Sequence, residues 1–404
     1  MSKIYLKKGR DESLRRFHPW VFSGAISQIV GSPAEGDVVD VFSADGQYLA
    51  SGHYQIGSIA VRVLSFCGDP KDSMFWVDAI SAAYRVRCAA GLAAAPAEAE
   101  SPCGTNCYRL VHGEGDGLPG LIIDYYDGVC VMQAHSAGMF RSRRQISDAL
   151  QKVYGEGLKA VYDKSSGTAP FKAGLDLVDG YLYRRADYDG EVVSVLENGH
   201  KFLVNWSEGQ KTGFFLDQRD NRALVEKYAR GRRVLNLFCY TGGFSIYALA
   251  GGALSVDSVD SSAKAMAMVD RNVALNFGDC PRHTSHCCDA IDFLGKSEEG
   301  RYDLLIVDPP AFAKHRGVLK NALRAYQRLN AAAISKAAPG SFIFTFSCSQ
   351  VVDKEMFALA VFSAAASTGR RVRILDRLNQ PADHSVNIYH PEGEYLKGLL
   401  LYVE

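Results

Sequence analysis

Along the first 68 residues apolar and polar positions alternate in short segments: WVFSGAI, GDVVDVFSADGQYLASGHY and SIAVRVLSF. Turn residues at Gly36-Asp37 and Asp45-Gly46 separate them, and this period-2 pattern predicts a small β-barrel or β-rich module. Between Asp69 and Ser101 the period becomes helical (FWVDAISAAYRVRCAAGL), followed by the Ala/Glu run AAAPAEAESP, which reads as loop or linker. Strands return over 107–185 in CYRLVHGEGDGLPGLIIDYYDG, VCVMQAHS, AVYDKS and GYLYRR, around a helix near 140–153. This reads as a second, α+β unit. The strand-like segment Glu191–Val204 leads into a third.

From Arg232 onward, apolar runs of strand length (VLNLF, SVDSVD, HTSHCCDA, DLLIVDPP, SFIFTFS) alternate with helical stretches such as SSAKAMAMVDRNVALNF and KNALRAYQRLNAAAISKAA. Strand–helix alternation predicts an α/β fold with a doubly wound parallel sheet. The expected organisation is three modules, 1–70, 71–188 and 189–404. Doubly wound sheets bind ligands at the carboxyl ends of their strands, at the switch in strand order. The chemistry is therefore sought at those ends.

Composition narrows the classes. The chain has 404 residues, 45 Lys+Arg against 45 Asp+Glu, and 47% hydrophobic residues, an ordinary globular balance. With zero net charge, a surface for nucleic acid must be local. No apolar run reaches the ~18 residues of a membrane span, and the basic N-terminus lacks an apolar signal core. The ten cysteines read as free thiols of a cytoplasmic protein. The Cys103-x3-Cys107 pair has no second ligand pair nearby, so no metal is expected.

Five strand ends carry candidate chemistry. Residues 234–245 (VLNLFCYTGGFS) run from strand through a glycine turn into a helix, where backbone N–H groups approach a ligand closely. The spacing differs from the dinucleotide GxGxxG. Asp260 ends the next strand, placed to accept hydrogen bonds from ribose hydroxyls; Asp260, Ser261 or Ser262 could equally cap the following helix. Asp289 ends the third, where a carboxylate meets an adenine amine or caps a helix. After DLLIV come Asp308-Pro309-Pro310, two prolines that fix φ and shape a rigid loop. After FIFTF comes Ser347-Cys348-Ser349, a thiol next to the Asp308 strand. Cytosine C5 is a poor nucleophile until a thiolate adds at C6, and an acid such as Asp308 would hold N3 meanwhile. The alternatives are methylation of a base amino group with Cys348 only structural, and a non-catalytic cofactor- and RNA-binding protein.

The segments KGRDESLRRFHPWVFSGAI, RLVHGEGDGLPGLIIDYYDG, GQKTGFFLDQRDNR, VLNLFCYTGGFS, VDPPAF, FTFSCS and ADHSVNIYHPEGEYLKG span almost the whole chain. In them it resembles the class I S-adenosylmethionine-dependent methyltransferases that form 5-methylcytosine in large-subunit ribosomal RNA and carry an N-terminal PUA domain. The resemblance implies a PUA barrel, a central α+β domain and a Rossmann-like catalytic domain, in a homodimer acting on RNA. It also implies that Asp217, Gln218 and Arg219 line the S-adenosylmethionine pocket with Tyr240, Thr241, Gly242, Asp260, Ser261, Asp289 and Asp308. Cys348 and Asp308 would be the catalytic pair. Ala311 and Ser385 depart from the family pattern; with Ala311 after Asp-Pro-Pro, Cys348 is the only motif cysteine. Local basic stretches, Lys314, Arg316, Lys320, Arg324, Arg328 and Lys336, and Lys7, Lys8, Arg10, Arg15 and Arg16 with His18 and Trp20, suit RNA.

Overall fold

The computed structural model describes residues 2–94, 104–170, 174–313 and 315–404. Cys103 of the possible ligand pair, most of the Ala/Glu run and Lys314 lie outside them. By contacts the chain forms two compact units. Unit 1 is Met1–Val195 with Val204–Leu216 and Ala382–Gly393; unit 2 is Leu196–Leu203, Asp217–Pro381 and Glu394–Glu404.

Unit 1 opens with β1 (Lys3–Leu6), β2 (Trp20–Phe22), β3 (Ile26–Val30), β4 (Val38–Phe42), β5 (Tyr48–Tyr54) and β6 (Ile59–Ser65). They pair in the order β2-β6-β5-β4-β1-β3. Alternation buries Ile4, Leu6, Val39, Val41, Val61 and Val63 on one side. A single turn, α1 (Glu12–Arg15), lies between β1 and β2, and helix α2 (Phe75–Ala89) follows the sheet. Then β7 (Cys107–His112), β8 (Leu121–Tyr126), β9 (Val129–Ala134), β10 (Ala160–Asp163) and β11 (Gly180–Arg184) form a sheet in the order β11-β10-β9-β8-β7. The helix expected near 140–153 is two helices, α3 (Ala137–Arg141) and α4 (Arg143–Tyr154).

The return of 382–393 to unit 1 was not legible in the chain's periodicity. Asp383 accepts the Arg109 amide through Oδ2 at 2.9 Å, and its carbonyl accepts Arg87 Nη2 at 2.7 Å. Arg87, fully buried, also forks onto Asp116, with Nη2 to Oδ2 at 2.8 Å. A buried guanidinium needs this many acceptors to offset its desolvation.

Unit 2 holds the turn of the hairpin β12 (Val192–Glu197) and β13 (His200–Asn205), and α5 (Arg219–Ala229). Its sheet alternates β14 (Arg233–Leu237), α6 (Gly243–Ala250), β15 (Ser255–Asp260), α7 (Ala263–Phe277), β16 (His283–Cys287), α8 (Ala290–Lys296) and β17 (Tyr302–Val307). Next come α9 (Leu319–Lys336), β18 (Ala337–Ser347) and α10 (Lys354–Thr368), and the sheet closes with β19 (Val372–Asn379) and β20 (Lys397–Val403). The order is β16-β15-β14-β17-β18-β20-β19, with the first five strands parallel. The order in which strands are added reverses between β14 and β17, as doubly wound sheets require. The antiparallel pair β19 and β20 is an addition: β19 is mostly exposed and has no strand-like alternation to betray it.

His53 on β5 is 2% exposed, stacked near Trp76 and closed in by Gly138, where an added Cβ would sit 2.1 Å from its ring. Burial pushes its pKa down to about 4. An unfolded histidine binds its proton near 6.5, so between pH 6.5 and 4 the unfolded state holds a proton that the folded state does not. The stabilisation is complete above pH 6.5 and is lost as pH falls. We expect urea denaturation to show a loss of stability by pH 4 that is smaller in His53→Gln, by on the order of 3 kcal/mol.

Candidate functional site

The glycine turn after β14 departs from ordinary backbone at three residues: Phe238, Tyr240 and Gly242 have φ of 58°, 47° and 81°. For Phe and Tyr such left-handed conformations cost ~1–3 kcal/mol each, so surrounding bonds must enforce them. The Cys239 amide donates to the Val259 carbonyl at 3.0 Å, and the Gly242 amide to the Cys239 carbonyl at 2.8 Å. At Gly242 an added Cβ would come within 3.1 Å of Val269 Cγ1. The turn opens into α6, whose first N–H groups have no helical acceptor.

Asp260 braces the glycine turn rather than capping α7. Its Oδ2 accepts the Tyr240 amide at 3.0 Å and its Oδ1 the Ser262 amide at 2.9 Å, fastening the glycine turn to the start of α7. The cap of α7 is Ser262, while Ser261 is exposed. Asp289 does cap α8: its Oδ1 accepts the Ile291 and Asp292 amides at 2.8 and 2.9 Å. Thr241 is 7% exposed and its carbonyl accepts Asn272 Nδ2 at 2.9 Å.

Asp217, Gln218 and Arg219 are nearly buried, with distinct partners. Asp217 Oδ2 accepts the Tyr395 hydroxyl at 2.7 Å. Gln218 Nε2 donates to Asp308 Oδ2 at 3.0 Å, and Gln218 Oε1 accepts Asn221 Nδ2 at 2.6 Å. The Arg219 guanidinium lies 3.7 Å from Glu197, which Arg222 grips through Nε and Nη2 at 2.8 and 2.7 Å.

Parallel pairing of β17 with β18 puts Asp308 and Cys348 on adjacent strand ends. Cys348 is half-buried between two buried serines that share one anchor. Ser347 Oγ donates to the Tyr326 hydroxyl at 2.9 Å, and Ser349 Oγ lies 3.1 Å from it. Lys397, the first residue of β20, donates to the carbonyls of Ser349 and Tyr395 at 2.6 and 2.7 Å. Burial lowers its pKa to about 8, and the charge of a Cys348 thiolate opposes that drop. Periodicity gave no sign of Lys397 because its strand is antiparallel and distant in sequence. Its only signal was membership of the EYLKG segment.

These residues fit a nucleoside-bearing sulfonium cofactor: a tight glycine turn, a helix N-terminus and a carboxylate at the neighbouring strand end occur together. The S-adenosylmethionine-dependent methyltransferase family matches residues 184–388, and a PUA-like domain matches residues 4–66. Ribosomal RNA large subunit methyltransferase I of Aeromonas hydrophila is 39% identical over 99% of both chains. The protein of that name from Pseudoalteromonas atlantica is 40% identical over 99% of this chain and 98% of its own.

The chain belongs to this methyltransferase family. It is an S-adenosylmethionine-dependent methyltransferase with an N-terminal PUA-like domain. Its fold is shared over 100% of both chains with SMU.776, crystallised in complex with SAH (TM-score 0.83, 23% identity). No described helix of this methyltransferase is long and apolar enough to cross a membrane.

The basic residues of α9 form a stripe: Lys320, Arg324 and Arg328 recur every four residues and are all exposed, with Arg316 exposed just before them. Trp20 is less open than its sequence context suggests. Its ring packs 4.3 Å from that of His390, Arg62 lies over it, and its Nε1 donates to Glu114 at 2.8 Å.

A Cys348 thiolate would favour the charged form of Lys397, and by reciprocity the ammonium would favour the thiolate. Lys397→Met is expected to move the alkylation-versus-pH curve of the Cys348 peptide about one pH unit higher, read by mass spectrometry. An unmoved curve would mean that the lysine only ties loops together.

Proposed function

We propose that the chain methylates C5 of a cytosine in large-subunit ribosomal RNA, with Cys348 as nucleophile and Asp308 as the N3 partner. The observation that carries the reading is the placing of Asp-Pro-Pro and the Cys348 thiol on adjacent strand ends, with Lys397 tied to the Ser349 carbonyl next to the thiol. The names of the 39–40% identical relatives support the RNA class.

Cofactor contacts fall to Tyr240, Thr241, Gly242, Asp260, Ser261 and Asp289, with Asp217 and Gln218 at the methionine side. Arg219 supports them through Glu197. When bound, S-adenosylmethionine supplies an electrophilic methyl on a sulfonium. The Cys348 thiolate forms a bond to C6, and the C5=C6 electron pair moves toward C5 while the proton shared with Asp308 offsets charge at N3. Gln218 holds Asp308 in place for this contact. Transfer of the methyl to C5 would break its bond to the cofactor's sulfur, which would leave as a neutral thioether; loss of the C5 proton to water or another base would then break the S–C6 bond and regenerate the Cys348 thiolate. Ala311 supplies no second thiol, so release rests on that proton transfer.

The modules 1–70, 71–188 and 189–404 would divide the work between RNA docking, support and catalysis, in a cytoplasmic homodimer. The α9 stripe is the proposed phosphate contact. Arg324→Ala with Arg328→Ala should weaken RNA binding uniformly and flatten the log K against log salt slope by about 1 to 1.5. Unchanged salt dependence in filter binding would remove α9 from the interface.

The reading is tested with labelled S-adenosylmethionine and ribosomal RNA from cells lacking this gene, followed by nucleoside analysis. Wild type should place label in 5-methylcytosine, and Cys348→Ala should lose at least ~10³-fold. Label in an N-methylated base that survives Cys348→Ala would overturn the nucleophile and favour amino-group methylation.

A further inference from the structure

His18 converges within unit 1 on His390 and Glu392, which lie at the far end of the sequence. One ligand atom from each lies within 4.8 Å of the other two. His390 is 3% exposed, yet neither ring nitrogen has a hydrogen-bond partner. Buried polar atoms are normally paired, so an unpartnered imidazole signals a missing partner. Its Nε2 lies 3.8 Å from Glu392 Oε2, beyond hydrogen-bond reach but close to the spacing of two ligands on one ion.

We propose that His18, His390 and Glu392 form a binding site for a borderline divalent transition-metal ion of the zinc class. Two imidazoles and one carboxylate are the donor set such an ion takes, with the fourth position left to water. The tautomers suit it. His18 Nδ1 lies 3.3 Å from the Trp20 carbonyl, so an Nδ1–H donated there would leave the Nε2 lone pair available to an ion. The same Nδ1 lies 3.2 Å from the Trp20 amide, and the metal would select between these two states. Burial lowers the pKa of His390, with Glu114 and Glu392 opposing and His18 adding to the drop.

The shell around the ring is built rather than incidental. Trp20 packs on His390, and Glu114 fixes Trp20 and Arg62 at 2.8 and 3.1 Å, so Glu114 is already engaged. The loop that presents His390 is braced: its amide donates to the Asn387 carbonyl at 2.8 Å, and Asn387 Nδ2 donates to the Glu114 carbonyl at 3.2 Å. Glu392 is exposed and free to swing the remaining distance to about 3.4 Å between ligand atoms, the spacing of tetrahedral bonds of ~2.1 Å. A bound ion would staple the loop after Ala382 to the strand that carries Trp20.

The test uses the full chain, stripped with chelator, loaded with Zn²⁺ and dialysed, with metal content read by mass spectrometry and thermal midpoint by calorimetry. One Zn²⁺ per chain is expected, with a raised midpoint. Affinity should fall at least ten-fold in each of His390→Ala, His18→Gln and Glu392→Gln. Co²⁺ in place of Zn²⁺ should give the intense visible absorption of a four-coordinate site, absent from His18→Gln. The surface variant Glu392→Gln keeps the test open should His390→Ala fail to fold. No retained metal, or retention equal to wild type in His18→Gln and Glu392→Gln, would overturn the proposal.

Discussion

The chemistry of this protein hangs on β14. It is flanked by parallel strands on both sides, β15 and β17, and nearly all of it is buried. A parallel strand at the centre of a sheet must leave by a crossover, and here the crossovers run in opposite directions on its two sides. The carboxyl ends on either side of β14 therefore part, and the groups they carry face a common crevice. Glycine turn, Asp260 and Asp308 are neighbours because of that one pairing pattern.

Around the crevice the protein spends stability on geometry. Phe238 and Tyr240 hold backbone conformations unfavourable for their side chains, enforced by bonds from Val259 and Asp260. Lys397 is buried where its charge costs free energy, and two carbonyls with a neighbouring thiol offset part of it. Tyr326 anchors both serines beside Cys348, so the thiol sits on a segment fixed from either side. Such fixed positions are what group transfer between two bound molecules requires.

Unit 1 shows the same principle in a different place. Arg87, Asp116 and Asp383 form a buried polar knot that holds the loop after Ala382, and every acceptor in it is used. His53 is kept neutral in a pocket that only a glycine at 138 leaves room for. These groups constrain which chain segments lie together, and they make the unit sensitive to acid.

The sequence by itself determined the local elements and their class. Period-2 and helical patterns marked β4 to β6, α2, α7, α9 and the strands β14 to β18, because burial of one face writes itself into neighbouring residues. Asp308, Cys348 and the glycine turn were legible for the same reason: each stands at the end of an apolar run. Roles that depend on distant partners were not. Arg219 pairs with Glu197, and Lys397 lies against the Ser349 carbonyl beside Cys348 on an antiparallel strand that no alternation announced, whereas the cap of α8 by Asp289 is local and was among the sequence readings. The assembly of His18 with His390 and Glu392 is of this second kind. Side-chain contacts between residues hundreds of positions apart leave no period in the chain, so only the tertiary structure decided them.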